Sequence, residues 1–252
     1  MYVLLEDELQ SVGSVSGAGE DVMVENEPDK FEGRITSMMH EAMRIGVFRP
    51  TSFRASTGLQ GSDVELFAQL METGGRPEAG TWIEFEADFY LSSNPDVREA
   101  GVNPLVHYVE HGWKEGRYPT QNLLRRDVVF VEQTGMFDFR GYGSKVSDEA
   151  RRMGLIEHYL TSGWREGLEG IVDFEDRFYY ETFQKSLEPF FVPAIHHLKL
   201  GIRLGLPKNS QEFAVAANIV ERSEVFDQDY YSVMCGREFA TCKSAVTHYL
   251  SY

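Results

Sequence analysis

The hexapeptide Phe85-Glu86-Ala87-Asp88-Phe89-Tyr90, with His107 placed 22 residues after its first aromatic, decides the fold because it returns three more times. Phe137-Asp138-Phe139-Arg140-Gly141-Tyr142 is followed by His158, Phe174-Glu175-Asp176-Arg177-Phe178-Tyr179 by His196, and Phe226-Asp227-Gln228-Asp229-Tyr230-Tyr231 by His248. The Phe-to-His gaps are 22, 21, 22 and 22 residues. Fixed internal spacing in weakly similar copies marks a structural repeat, one supersecondary unit stacked on its neighbours. The copies start at 85, 137, 174 and 226, so the first and third, and the second and fourth, are each 89 residues apart. That spacing predicts a duplicated pair with a long spacer inside each pair. The apolar runs Val128–Val131 and Phe213–Val220 give each spacer a helix.

Within a copy, an acid follows the first aromatic and a tyrosine stands at the fourth helical position. This is the arrangement of a hydrophobic staple, which fixes the angle of entry into a helix. Asp138 and Asp227 are expected to cap their helices better than Glu86 and Glu175, whose longer carboxylates reach back less well. In the first copy Asn94-Pro95-Asp96 stops the first helix, and Pro95 opens a turn ending at Gly101. A second helix starts near Pro104 and carries the stripe Leu105, Tyr108 and Val109; Ile156/Tyr159/Leu160, Ala194/His197/Leu198 and Val246/Tyr249/Leu250 are its counterparts. Gly112, Gly163 and Gly201 are read as helix-terminating glycines, with Trp113, Trp164 and Ile202 folding back on the last turn. Gly116, Gly167 and Gly205 turn the chain toward the next unit. Strand signals are few. The expected fold is all-α, a helical-repeat array of four helix-turn-helix units arranged as a duplicated pair.

Ahead of the repeats, residues 1–30 hold eight acids and one base around a Ser/Gly-rich middle, and are read as an acidic, mostly flexible tail. Residues 31–80 are read as N-terminal helices and a linker, residues 81–169 as the first repeat pair and residues 170–252 as the second. One helix starts near Asp29 and presents Phe31, Ile35, Met38, Ala42 and Ile45 until Gly46 closes it. Another starts at a capping box, Ser62 with Glu65, and packs through Val64, Phe67, Ala68 and Met71 as far as Gly74-Gly75. A polar loop is expected between the two.

The net charge of −16 opposes nucleic acid and anionic membrane as partners, because both demand basic surface. No apolar stretch approaches the ~20 residues needed to span a bilayer, so membrane insertion is not expected. The start Met1-Tyr2-Val3-Leu4-Leu5-Glu6 lacks a basic segment and a long apolar core, which points to the cytoplasm and leaves export through a signal elsewhere open. Cys235 and Cys242 have no counterparts in the other copies and read as buried or half-buried free thiols.

The residues 85–119, F-E-A-D-F-Y-L-S-S-N-P-D-V-R-E-A-G-V-N-P-L-V-H-Y-V-E-H-G-W-K-E-G-R-Y-P, resemble a short bacterial tandem module. That module has an Asp-x-x-Tyr-Tyr-Leu start, an Asn-Pro-Asp-Val middle and a His-Tyr-Leu…Gly-Trp-x-Glu-Gly-Arg end. It occurs beside glycosyltransferases of surface-polysaccharide synthesis and in some repeats-in-toxin-like secreted proteins. The second copy keeps His158–Gly167 of the pattern, the third little beyond its aromatic start, Pro193, His196 and Gly201, and the fourth its start and His248-Tyr249-Leu250.

No catalytic, cofactor-binding or metal residue is assigned. His107 and His111 stand four apart on one helix with Glu110 between, as two metal ligands would, but Ser162 and Leu200 replace His111 in later copies. The recurring histidines are better read as ties between neighbouring helices than as catalytic groups. The 12 tyrosines and 17 phenylalanines also suggest sugar-stacking platforms, yet most of the repeated ones already have staple or core duties. The expected function is therefore non-catalytic: an interaction module that binds a protein partner or organises a surface-glycan or secretion assembly, with no cofactor. The alternatives are a recognition region of a larger glycosyltransferase and a carbohydrate-binding, adhesin-like module. A glycine due five residues after His248 falls just past Tyr252, which gives the expectation that the native polypeptide continues.

Overall fold

The computed structural model describes residues 27–76, 84–183, 192–223 and 225–251; these are helices and connecting turns, with no strand among them. By internal contacts the chain divides into Met1–Arg34 and Ile35–Tyr252. The expected acidic tail lies mostly outside the described residues, as does most of the linker before Phe85.

Helix α1 (Glu27–Arg44) buries Met38 and Ala42, with Ile45 just past its end, and Gly46 then takes φ 84°. The expected polar loop is instead helix α2 (Pro50–Thr57), opened by Pro50 and anchored by the buried Phe53. A phenylalanine at the fourth helical position after a proline was the overlooked signal. Helix α3 (Asp63–Glu72) begins at the predicted box: Ser62 Oγ accepts the Glu65 amide and Glu65 Oε2 accepts the Ser62 amide. Its buried face is Leu66, Phe67, Leu70 and Met71.

The first copy holds α4 (Ala87–Ser93), α5 (Pro95–Ala100) and α6 (Pro104–His107), with α6 running on through a π-helical turn, Tyr108–Gly112. Helix α7 (Gln121–Thr134) fills the first spacer. The second copy holds α8 (Phe139–Lys145), α9 (Asp148–Met153) and α10 (Leu155–His158), extended by the π-turn Tyr159–Gly163. The third holds α11 (Asp176–Phe183) and α12 (Pro193–His196), then the π-turn His197–Gly201 and the short α13 (Ile202–Leu204). Helix α14 (Ser210–Arg222) fills the second spacer, and α15 (Gln228–Cys235) and α16 (Cys242–Leu250) form the fourth copy.

Two readings of the repeat are corrected. The turn expected after Pro95 is a helix in its own right, because Pro95 at its first position needs no amide partner and Val97 is buried. Gly112 and Gly163 are the last helical residues of their copies, as read, whereas Gly201 leads straight on into α13; none is a left-handed cap, and each closes a widened turn in which the next amide, that of Trp113, Trp164 or Ile202, bonds the carbonyl five residues back. Positive φ falls instead on the glycines four residues further on, Gly116, Gly167 and Gly205, where the chain does turn. Trp113 folds back as expected, donating Nε1–H to the Val109 carbonyl at 3.0 Å, whereas Ile202 is exposed.

The staples form in all four copies, with Phe85–Tyr90, Phe137–Tyr142, Phe174–Tyr179 and Phe226–Tyr231 ring centroids 5.3, 5.2, 5.1 and 5.5 Å apart. Asp138 Oδ1 accepts the Gly141 amide, and Asp227 Oδ1 accepts those of Asp229 and Tyr230. Glu86 makes no such cap to its own helix. It accepts instead the first amide of α7, from Gln121, and Glu175 likewise accepts the first amide of α14, from Ser210. A side chain too long to cap its own helix reaches the N-terminus of the next.

The units close on themselves. The amide after the first aromatic donates to a carbonyl 32 or 33 residues on: Glu86 to Pro119, Asp138 to Gly170 and Glu175 to Lys208, at 2.9, 2.9 and 3.1 Å. Their aromatics sit in two cores, one built from Met38 to Trp113 and the other from Tyr118 to Ile195.

The glycine of each π-turn is a steric requirement. A Cβ on Gly112, Gly163 or Gly201 would overlap the hydroxyl of Tyr90, Tyr142 or Tyr179. Gly163→Ala is therefore expected to lower the urea-unfolding free energy by at least about 2 kcal/mol, as overpacked core substitutions do. Adding Tyr142→Phe should recover part of that loss, and strict additivity of the two changes would show that the hydroxyl is not the obstacle.

Candidate functional site

The stapled tyrosine of every copy reaches the histidine of the same copy. Tyr90 Oη lies 2.9 Å from His107 Nδ1, Tyr142 Oη 2.7 Å from His158 Nδ1, Tyr179 Oη 2.8 Å from His196 Nδ1, and Tyr231 Oη 2.8 Å from His248 Nδ1. The first three tyrosines are fully buried, so the bond satisfies a hydroxyl that would otherwise cost roughly 1–3 kcal/mol. Tyr231 differs from these three and is only half-buried. Burial holds the His107 and His196 imidazoles below their ordinary pKa, His196 at about 4, which favours the neutral ring. The histidines are structural ties, as their spacing suggested.

His107 and His111 do come together, with ring centroids 5.7 Å apart, but His107 Nδ1 is committed to Tyr90. No cluster of three or more potential ligands occurs among the described residues. The two thiols are free; Cys242 is half-buried and Cys235, contrary to expectation, is exposed.

Sequence reasoning missed the buried carboxylates. Asp176 is 4% exposed, and the Tyr159 hydroxyl donates to it, 2.7 and 2.8 Å from its two oxygens. Burial pushes the Asp176 carboxyl up to about 7, against the lowering effect of that hydrogen bond. Asp127, also buried, accepts from the Tyr118 hydroxyl at 3.1 Å and from Lys199 Nζ at 2.6 Å. This cluster joins the tail of the first copy, α7 and the π-turn of the third. Both acids leave a trace in the sequence. Asp127 lies between Leu124 and Val131 on the buried face of α7, and Asp176 occupies the position of the buried Ala87. An acid on an apolar face signals a buried polar partner.

A second polar cluster lies close to the Tyr90–His107 pair. Arg117 makes a bidentate pair with Asp96, donates to Glu115 at 2.5 Å and to Asn94 Oδ1 at 2.9 Å, and holds the Asp96 carboxyl down at about 2. Across it, Arg165 donates to the carbonyl of Glu115 and the Tyr180 hydroxyl to that of Lys114, linking the second and third copies to the first. Three buried polar atoms among the described residues have no hydrogen-bond partner: Tyr108 Oη, His197 Nδ1 and Trp164 Nε1. Tyr108 and His197 occupy the repeat position of Tyr159, the one that Asp176 serves.

These groups bind one another. Asp176 is enclosed by the aromatic core. A comparison with protein-family models, curated proteins and solved structures finds no match for this chain.

The opposed shifts set a pH dependence. Asp176 binds its proton more tightly folded than unfolded, so its contribution falls as pH rises from about 4 through 7. His196 has the opposite sign: its contribution is full above the unfolded value of 6.5 and is lost as pH falls toward 4. Asp176→Asn should remove the first effect and gain on the native protein by about 2–4 kcal/mol between pH 4.5 and 8, read from urea unfolding at both pH values. A difference independent of pH would refute a protonated buried Asp176. Chelator should leave the melting temperature unchanged, since a structural metal would add folding energy outright; a fall reversed by zinc or calcium would reinstate His107 and His111 as ligands.

Proposed function

We propose that this chain is a non-catalytic helical-repeat module whose four units, arranged as a duplicated pair, bind a protein partner. The observation that carries this reading is the division of labour in the repeat. Its tyrosines, histidines and glycines are spent on internal closure, while large apolar side chains are left in solvent at several places, five of them on α14 and α15. Val215 and Ile219 on α14 and Tyr230, Val233 and Met234 on α15 are all more than half exposed. Large apolar groups displayed on neighbouring helices, rimmed by polar residues, are the ordinary signature of a protein-binding surface. The resemblance of residues 85–119 to the bacterial tandem module supplies the setting, a surface-glycan or secretion assembly reached from the cytoplasm.

Affinity capture from the bacterium that encodes the chain tests the reading. A specific partner should be retained by the native protein and lost from Val233→Asp/Met234→Asp, with the melting temperature of the variant within a few degrees of the native value. Saturable oligosaccharide binding by the purified chain, with no protein partner affected by the variant, would replace the reading with a carbohydrate-binding one.

A further inference from the structure

Asp176 opens α11 of the third copy, yet its side chain meets the second. The Tyr159 hydroxyl, from the π-turn of that copy, stands 2.7 and 2.8 Å from its two oxygens. The repeat does not call for an acid there, since the equivalent positions hold Ala87, Phe139 and Gln228.

The place suits a carboxylic acid and not a carboxylate. An ionised carboxylate only accepts, through about four lone-pair sites. Besides its own amide, Asp176 is offered the one hydrogen of Tyr159, and among the described residues no lysine or arginine pairs with it. The groups that face it bring no positive charge. Glu169, on the segment leading into the third copy, is a like charge. Tyr142 of α8 faces the pair with its hydroxyl on His158. Tyr118 faces Tyr159 with its hydroxyl on Asp127, the acid that Lys199 already neutralises. Burial raises all three tyrosines above their ordinary value, so they keep their protons through neutrality. A buried charge with so few donors is costly, and opening the contact to water removes that cost.

We infer that the joint between the second and third copies is proton-operated: Asp176 stays protonated on Tyr159 while the joint is closed, and gives up that proton as the joint opens. The segment that gives way is Gly170–Val172, held to the second copy by the Val172 amide on the Met136 carbonyl at 3.0 Å and the Asp138 amide on the Gly170 carbonyl at 2.9 Å. This regulation acts within the array and holds whatever the array binds. Its pH window follows from the carboxyl, which stands at about 7 in the closed joint against 3.8 when freed. The advantage of the closed joint is full below 3.8 and is lost as pH rises through 7. His196 does not offset this, because its contribution is already full above 6.5.

Amide hydrogen exchange of the full chain at pH 6 and pH 8.5, corrected for the intrinsic rate at each pH, is the test. Protection of the Val172 and Asp138 amides should fall about tenfold more than that of the Glu86 amide, which closes the first copy. Asp176→Asn should abolish the difference; if that variant is unprotected at pH 6, Asp176→Ala, which carries the residue of the first copy, takes its place. The infrared carbonyl band of a protonated carboxylic acid should be present in the native protein at pH 6, absent at pH 8.5, and missing at both from the Asp176 variant. An equal fall at Glu86, a fall that survives in the variant, or no such band at pH 6 would each overturn the inference. So would loss of the band at pH 8.5 with protection unchanged, because the closed joint would then tolerate the charge.

Discussion

The constraint on which the rest depends is the tyrosine hydroxyl thrust against the backbone of the following helix. Tyr90, Tyr142 and Tyr179 each bring a polar atom into a fully buried place, where it needs a partner and space. The histidine supplies the partner and the glycine five residues later supplies the space. The π-turn between them is the helix yielding locally where a foreign atom abuts it. Aromatic, histidine and glycine thus specify one another, which accounts for their fixed spacing across copies that share little else.

The fourth copy separates the parts of this device. Its Tyr231–His248 bond, at 2.8 Å, falls within the range of the others, although Tyr231 is only half-buried. The hydrogen bond therefore does not need full burial. It is a local feature of two helices joined at a stapled entry. Full burial comes from elsewhere, from the tail that returns to give its carbonyl to Glu86, Asp138 or Glu175. Closure and pairing are distinct contributions.

Most of the helices, the staples, the spacer helices and the tying role of the histidines were legible because each rests on short-range periodicity or on a repeated spacing, whereas the tyrosine as the partner of each histidine was not read. What was not legible was what the chain does across units. Gly163 looks like any helix-ending glycine until Tyr142 is placed against it, since a glycine suits a left-handed turn and a tight contact equally well. The six residues from Pro95 are too few for a helical stripe to register, and Val97 alone marks their buried side. Asp127 and Asp176 were readable as anomalies of pattern, yet their partners Tyr118, Lys199 and Tyr159 come from other elements at separations no periodicity encodes.

Those buried carboxylates bear on how the array is held together. Apolar packing between repeated units is permissive, because equivalent faces accept one another in several registers. A carboxylate that must meet a particular tyrosine or lysine is not permissive, since a slipped register would leave it unpaired at a cost of several kcal/mol. Asp176 marks the third copy against the second through Tyr159, and Asp127 marks α7 against the third copy through Lys199. The position of Tyr159 is held by Tyr108 and His197 in the neighbouring copies, and there the buried polar atom has no partner. A pairing made at one junction and absent at its equivalents distinguishes that junction from the others. The same repeat can then build the cores while the two acids select which copy stands next to which.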